Sequence, residues 1–150
     1  GDASTERLYV AADGAGVLYA DGTINTSDER TKENINKMSL GLDFVNALNP
    51  IEFEKRQPKD YDEDLKSKIL EQGNGLRDMD VSEKEKIRSG LLAQDVSSAL
   101  EEFGYSSNND IVKIDEKTTK QQLDYAKLVA PIIKAVQELT ARIEQLENKE

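Results

Sequence analysis

LDYAKLVAPIIKAVQELTARIEQLENKE, residues 123–150, carries the clearest structural pattern in this chain. Its apolar residues recur in alternating steps of four and three, the heptad pattern of a coiled coil. This seam consists of Tyr125, Val129, Ile132, Val136, Leu139, Ile143 and Leu146. A core helix would show a similar stripe over one or two heptads, whereas this one continues for about three. We therefore predict a parallel, self-associating coiled coil over residues 123–150.

Pro131 interrupts this pattern, because proline removes one helical hydrogen bond and is tolerated only in a first turn. The sequence thus predicts that the helix restarts there, with Leu128 to Ala130 as its lead-in. Val and Ile alternating with Leu along the seam favour two strands, whereas Ile133 and Ala135 widen the stripe and permit three. The seam alone leaves the number of strands open.

The composition fits one domain that completes its burial by self-association. The chain has 150 residues, of which 37% are hydrophobic, 33% charged and 5% aromatic, which is lean for a monomeric globule. Its 20 basic and 30 acidic side chains give a net charge of −10, which argues against binding to nucleic-acid phosphates. No run approaches the roughly 18 apolar residues of a membrane helix. We expect neither nucleic acid nor a membrane as a partner.

The chain contains no His, Cys or Trp. This excludes Ser-His-Asp catalysis, cysteine nucleophiles, disulfides and the usual zinc sites. The acidic run Asp60–Asp64 lacks the glycine and terminal glutamate of a calcium loop, so it is interpreted as solvated. We expect no metal and no cofactor. A serine nucleophile would need a lysine as its base.

Upstream of the seam, the sequence predicts a helix-rich α+β domain. The expected elements are a β-hairpin over 7–26, a helix over 42–48, a strand over 51–54, a helix from Gly90 to about Glu102 and a strand over 111–114. Residues 55–89 are almost all polar, with weak helical pieces at 66–72 and 82–89. Because they cannot build a core of their own, we expect them to form an extended, protruding arm.

Ser27 and Lys32 are the candidates for a serine–lysine pair. A separation of five residues does not align two side chains on a regular helix, so a turn or an extended start must bring them together. Spacing alone favours the alternative that Ser27 N-caps a helix and Lys32 is solvated. Asp28 and Glu29 would then lie at the positive end of that helix.

Four segments, in order, resemble the endosialidase-type intramolecular chaperone domain. They are SDERTKENI at 27–35, LDFVNALNP at 42–50, GLLAQDV at 90–96 and LDY at 123–125. The resemblance covers residues 27–146, with the arm and residues 105–122 as variable stretches. It implies a domain at the C-terminus of a phage tailspike or tail fibre that assembles three chains and templates folding of the β-rich fibre. Such a domain then cuts itself off before the Ser of an S-D-x-x-x-K motif.

The resemblance also implies a division of the chain at the Thr26–Ser27 bond. Residues 1–26 would be the end of the fibre, and residues 27–150 would be the chaperone, with a three-stranded coiled coil. Ser27 would be the nucleophile and Lys32 the general base. The partners would be two further copies of the chain and the fibre as folding client. The domain would act in the host cytoplasm during virion assembly, leaving the fibre in the virion tail.

Other residues near the motif could support or oppose cleavage. Asn25 or Asn34 could stabilise the oxyanion, as could backbone amides. A cationic Arg30 would favour the neutral amine that Lys32 needs as a base. Asp28, Glu29 and Glu33 would favour the ammonium if they were close and ionised.

Two alternatives remain open at this point. One is a structural trimerisation cap that stays attached to the fibre, in which Ser27 only caps a helix. The other is an acidic coiled-coil adaptor. Both predict a single band on a denaturing gel, whereas self-cleavage predicts fragments of about 26 and 124 residues, counted to Ser27.

Overall fold

The computed structural model describes residues 27–105 and 109–149. The predicted hairpin over 7–26, the end-of-fibre assignment of residues 1–26, and the candidate residues Asn25 and Thr26 lie outside this part of the chain. The described residues form a helix-rich α+β fold, as the sequence predicts. The helices are α1 (Leu42–Ala47), α2 (Glu63–Glu71), α3 (Val81–Lys84), α4 (Ala93–Glu102) and α5 (Val129–Glu147), and the strands are β1 (Ile51–Phe53), β2 (Arg88–Gly90), β3 (Val112–Ile114) and β4 (Gln121–Leu123).

A small hydrophobic core lies between α1, α4, β3 and the turn that precedes α5. Its buried members are Leu40, Phe44, Val96, Ala99, Leu100, Ile111, Val112 and Leu128. The Phe44 and Phe103 rings meet edge to face, with centroids 5.8 Å apart. Such pairs add to the free energy gained from burial alone. This core ties the residues that follow Ser27 to the rest of the domain through α1.

The polar arm leaves the body between two paired strands. β1 and β2 are antiparallel, with Phe53 opposite Arg88, so the chain leaves and returns at one neck. The last two residues of the predicted arm, Arg88 and Ser89, are therefore strand residues, a correction to the 55–89 boundary. Backbone pairing with β1 overrides their polar character, because the ladder uses main-chain groups. The helical piece predicted at 66–72 overlaps α2, whereas the piece predicted at 82–89 is helical only as far as Lys84, where α3 ends.

Polar contacts give the arm its internal order and its attachment to the body. The buried Gln57 amide bonds to both backbone groups of Met79, with its oxygen 2.8 Å from the nitrogen and its nitrogen 3.0 Å from the carbonyl oxygen. The Lys68 amine lies 3.1 Å from the Thr119 hydroxyl, beyond β3. The arm is thus closed on itself by a polar contact rather than by an apolar core.

Helix α4 begins at Ala93 rather than at Gly90, where the sequence predicted it. Gly90 belongs to β2, beneath the Tyr125 ring. A Cβ at this position would lie 2.7 Å from the Tyr125 hydroxyl, so the close approach requires glycine. The same hydroxyl accepts a hydrogen bond from the Leu91 amide at 2.8 Å, which fixes the chain before the helix.

The predicted strand over 111–114 is present as β3, but its partner β4 lies in the segment interpreted as polar and variable. The two strands pair antiparallel, with Val112 opposite Leu123. The Asp115 carboxylate organises the turn by accepting hydrogen bonds from the Thr118 amide and hydroxyl and from the Lys117 amide. These bonds lower the pKa of Asp115. Because two of its three residues are glutamines, β4 shows no apolar repeat from which a strand could be predicted.

The C-terminal helix α5 begins at Val129, later than the predicted residue 123. Leu123 belongs to β4, and Tyr125–Leu128 forms a short 3-10 helix whose start is capped by the Asp124 side chain. Pro131 is the third residue of α5 and is buried, so its missing N–H falls in the first turn, as predicted. The predicted start of the helix is corrected accordingly, and Tyr125 lies before the α-helix.

Candidate functional site

A single 3-10 turn, Glu29–Thr31, brings the two candidate catalytic side chains together. The Asp28 side chain caps this turn by accepting a hydrogen bond from the Arg30 amide at 2.9 Å. The Thr31 hydroxyl donates to the Asp28 carbonyl at 2.7 Å and closes the turn from the other side. Lys32 then returns to extended backbone, and its side chain reaches back along the turn. The turn and the extended backbone after it thus bring together two side chains that are five residues apart in the sequence.

The Lys32 side chain contacts both polar groups of Ser27. Its Nζ donates to the Ser27 Oγ at 2.8 Å and to the Ser27 carbonyl oxygen at 3.0 Å. The first distance is within the range required for proton transfer between a nucleophile and its base. A neutral Lys32 amine in this position could accept the hydroxyl proton of Ser27.

Arg30 and Asp28 form an ion pair beside this contact. The guanidinium Nη2 lies 2.6 Å from Asp28 Oδ2, and Nε lies 3.0 Å from Oδ1. The Arg30 side chain, followed by its backbone amide, lowers the pKa of the Asp28 carboxyl, and the carboxylate raises the pKa of Arg30. The residue that caps the turn is therefore Asp28, so the alternative in which Ser27 is the N-cap is wrong. The negative charge of the Asp28 carboxylate offsets the positive charge of Arg30.

The site lies at the surface of the single chain. Ser27 and Lys32 are both exposed, and so are Glu29, Arg30 and Glu33. Within the described residues, every hydrogen bond and ion pair made by residues 27–37 ends inside that same segment. One chain thus provides the pairing of Ser27 with Lys32 but leaves both side chains in water.

Asn34, a predicted candidate for oxyanion stabilisation, lies two residues beyond Lys32. Its backbone is in the left-handed region, with φ of 52°, which Asn tolerates better than most residues. Its carbonyl accepts a hydrogen bond from the Asn36 side chain at 2.8 Å. No contact in the described segment brings Asn34 to Ser27. The other candidate, Asn25, lies outside the described residues.

The predicted seam is exposed along its whole length. Each of its seven members, from Tyr125 to Leu146, is between 46% and 65% exposed. A different face of α5, with buried Pro131 and Ala135, packs against α1. The apolar stripe is therefore not the contact that holds α5 to its own domain. This excludes the alternative that the heptads mark a helix buried along the seam in its own core.

Sequence reasoning missed a polar contact between α5 and the start of α1. The Glu138 carboxylate accepts a hydrogen bond from the Leu42 amide at 2.8 Å, and Lys134 lies 3.0 Å from the same carboxylate. These two hydrogen bonds, the first being the stronger influence, lower the pKa of Glu138. A Gly at 41, where a helix normally has a capping side chain, is the signal that could have indicated a cap from elsewhere.

The helices and acidic side chains of the described residues bear on two other kinds of site, a membrane span and a metal centre. Across residues 27–105 and 109–149, no helix combines the length and apolar character needed to cross a membrane. In the same part of the chain, no three acidic side chains come together in a way that could hold a metal ion.

Comparison with known proteins gives one result for the family and one for individual relatives. A family model described as "Chaperone of endosialidase" matches residues 27–105, which is more than half of the chain. The match begins at Ser27 and includes the serine–lysine pair, the arm and α4, whereas α5 lies beyond it. The search of curated proteins gives no match.

Proposed function

The chain belongs to the endosialidase chaperone family, and from that premise we propose that it is an intramolecular chaperone that releases itself by autoproteolysis. It assembles as a homotrimer and templates the folding of a phage tail fibre or tailspike in the host cytoplasm. It then cuts the Thr26–Ser27 bond, leaving the fibre for the virion tail. The observation that carries the cleavage step is the 2.8 Å contact between Lys32 Nζ and Ser27 Oγ.

The proposed reaction begins with attack by the Ser27 hydroxyl on the carbonyl carbon of Thr26. A new C–O bond forms while the hydroxyl proton passes to the Lys32 amine. The C–N bond between the two residues then breaks, and Lys32 returns the proton to the Ser27 nitrogen, which leaves an ester. Water adds to this ester and releases a Thr26 carboxylate and the free Ser27 hydroxyl. Each chain reacts once.

This chemistry requires Lys32 to lose its proton near neutral pH. A lysine with a reference pKa of about 10.4 does so only when it is desolvated or placed beside another cation. The nearby cation, Arg30, is paired with Asp28, so its effect on Lys32 is reduced. The remaining route is burial. Since Lys32 is exposed among the residues that the structure describes, we infer that its apolar cover comes from another copy of the chain.

The exposed stripe on α5 supports self-association as the source of that cover. Six of its residues recur along the helix at heptad spacing, and covering them with equivalent residues would remove apolar area from water at about 25 cal/mol per Å². The proposed trimer is parallel, with the stripe at its centre. Cleavage would then depend on assembly, and an unassembled fibre chain would keep its chaperone.

A time course on a denaturing gel tests the proposal. Newly synthesised wild-type chain should separate into fragments of about 26 and 124 residues, counted to Ser27. Ser27→Ala should remain a single band on this gel and should still assemble in sedimentation, because it loses the attacking oxygen at almost no packing cost. Equal processing of this variant and the wild type would contradict the assignment of the nucleophile.

A second candidate is a trimerisation cap that stays attached to the fibre. The exposure of Ser27 and Lys32 favours it, because an exposed lysine is a poor base. The two candidates share the trimer and differ in the gel, where the cap gives one band at all times.

A further inference from the structure

Helix α1 starts without a capping side chain of its own. Its N-cap is Gly41, and the Leu42 amide receives its acceptor from Glu138 of α5, at 2.8 Å. The first amides of a helix have no partner within the helix, so a carboxylate there satisfies a donor and complements the helix dipole. The start of α1 is therefore completed by the helix that carries the seam.

The fit between Gly41 and Glu138 is close. A Cβ at Gly41 would lie 2.7 Å from Glu138 Oε1 and would overlap the other carboxylate oxygen. Any side chain at this position would displace the carboxylate from the Leu42 amide. Gly41 is buried and has a negative φ, so the glycine is required by the approach of Glu138 rather than by a left-handed backbone.

A second contact joins α5 to the same short segment. The Lys134 amine lies 3.0 Å from Glu138 Oε1 and 3.3 Å from the Ser39 carbonyl oxygen. The Ser39 hydroxyl also bonds to the Tyr105 hydroxyl at 3.3 Å, and the next residue, Leu40, is fully buried. Residues 39–42 are thus the point at which the segment carrying the serine–lysine pair is attached to the body.

Six residues, 33–38, separate Lys32 from this attachment, and they lie in no helix or strand. Every hydrogen bond of residues 27–37 is local to that segment in the described part of the chain. Glu138 follows Gln137 and precedes Leu139, yet its carboxylate faces α1 while Leu139 faces solvent in the seam. One helix therefore presents the assembly surface on one side and fixes the exit of the catalytic segment on the other.

We propose that Glu138 is a positioning residue for self-cleavage, which transmits the placement of the assembled α5 helices to the segment that carries Ser27 and Lys32. The proposal rests on the proposed function above. Trimerisation fixes α5 relative to its copies, and Glu138 with Gly41 fixes residues 39–42 relative to α5. A small displacement there moves the serine–lysine pair relative to the cover supplied by the next chain. Orientation effects of this kind have large consequences for rate.

The test compares single-turnover cleavage of newly synthesised full chains, with the trimer fraction measured by sedimentation. Glu138→Ala should assemble but cleave about tenfold to a hundredfold more slowly, by the magnitude expected for misplacement. Glu138→Gln keeps an oxygen that can accept from the Leu42 amide and should recover most of the rate. Glu144→Ala is the matched control, because it removes an exposed carboxylate from the same helix outside the seam.

A double variant tests whether Gly41 and Glu138 act on cleavage through one contact. Gly41→Ala should slow cleavage by displacing the carboxylate, and it should have little further effect once Glu138 is already alanine, because the two residues act through one contact. Independent, additive effects would overturn the proposal. So would wild-type cleavage by the trimeric Glu138→Ala chain.

The outcomes also separate this inference from the proposed function. If wild type is cut in a Ser27-dependent manner and Glu138→Ala is cut equally fast, only the positioning role fails. If wild type is not cut, or is cut without Ser27, both fail. If the Glu138→Ala chain does not assemble, Gly41→Ala decides the question, and an assembled Gly41→Ala chain that cleaves at the wild-type rate would contradict the proposal.

Discussion

The Tyr125 hydroxyl lies 2.8 Å from the Leu91 amide nitrogen and 3.4 Å from the Leu91 carbonyl oxygen, so the first residue of the predicted seam is bonded within its own chain. This contact holds the chain between β2 and α4 against the 3-10 turn that leads into α5. Tyr125 therefore has a hydrogen-bonding role within its own chain, and this role competes with its predicted role in the coiled coil.

Replacing Tyr125 by Phe distinguishes these two roles. If the hydroxyl matters through Leu91, Tyr125→Phe should destabilise the domain by about 1 kcal/mol, the usual net value of one hydrogen bond. A residue that contributes only its ring to an apolar seam would lose nothing. Thermal or urea unfolding at fixed chain concentration measures the difference, and an unchanged midpoint would contradict the intrachain role. Tyr61→Phe is the matched control.

Lys32→Arg tests the base rather than the hydrogen bond. Arg keeps a positive donor near Ser27 but does not deprotonate in proteins, so we expect assembled, uncut chains. Lys37→Arg, an exposed position in the same segment, should be processed like wild type. The gel time course measures both. Normal cleavage of the Lys32 variant would show that another group accepts the proton.

Leu139→Asp tests the exposed stripe as the assembly surface. In a trimer it would place three carboxylates in one apolar layer, where each is costly to desolvate and repels the others. We expect dissociation, measured by sedimentation. Gln137→Asp introduces the same charge at an exposed position of α5 outside the stripe and should remain assembled. An intact Leu139→Asp trimer would exclude the seam as the main interface.

The same seam variant tests the coupling of assembly to cleavage. Without its neighbours Lys32 stays exposed, and because an exposed lysine is a poor base we expect no cutting at neutral pH. The measurement is the cleaved fraction against pH, with wild type beside it. Rapid cutting of the monomer at neutral pH would show that desolvation by other copies is unnecessary.

The Glu138 cap predicts an acid-dependent stability. Hydrogen bonds from Leu42 and then Lys134 lower its pKa below the ordinary 4.5, so the carboxylate binds its proton less readily in the folded state. Its contribution is fully present above 4.5 and is lost as the pH falls through the folded value. Glu138→Gln removes this titration. Between about pH 6 and pH 3 the wild type should lose more stability than the variant, measured by urea unfolding; equal losses would contradict the cap.

Much of the fold is predictable because its local chemistry agrees with its long-range contacts. Residues 42–48 and 51–54 combine clear periodicity with a Pro50 boundary, and α1 and β1 lie there. Strand β4 has no such periodicity, since its pairing comes from the backbone. The start of α4 was misplaced because a close approach between Gly90 and Tyr125 is not visible in local sequence.

The candidate site likewise has one part that the local sequence predicts and another that it does not. The pairing of Ser27 with Lys32 depends on one turn that Asp28 caps, and local sequence contains everything that this requires. The attachment of that segment depends on Gly41 and Glu138, almost a hundred positions apart, with no shared periodicity to connect them. Trimer assembly and cleavage stay predictions that the experiments above can decide.

The neck formed by β1 and β2 has a consequence for how this domain can change over evolutionary time. Because Phe53 and Arg88 are already neighbours, the intervening residues 54–87 can grow or shrink without moving either strand. Doubling the length of such an excursion costs only about 0.6 kcal/mol in closure entropy. The arm can therefore vary in length, and its exposed turn at Gly73 is a natural place to graft a reporter or a foreign peptide onto this domain.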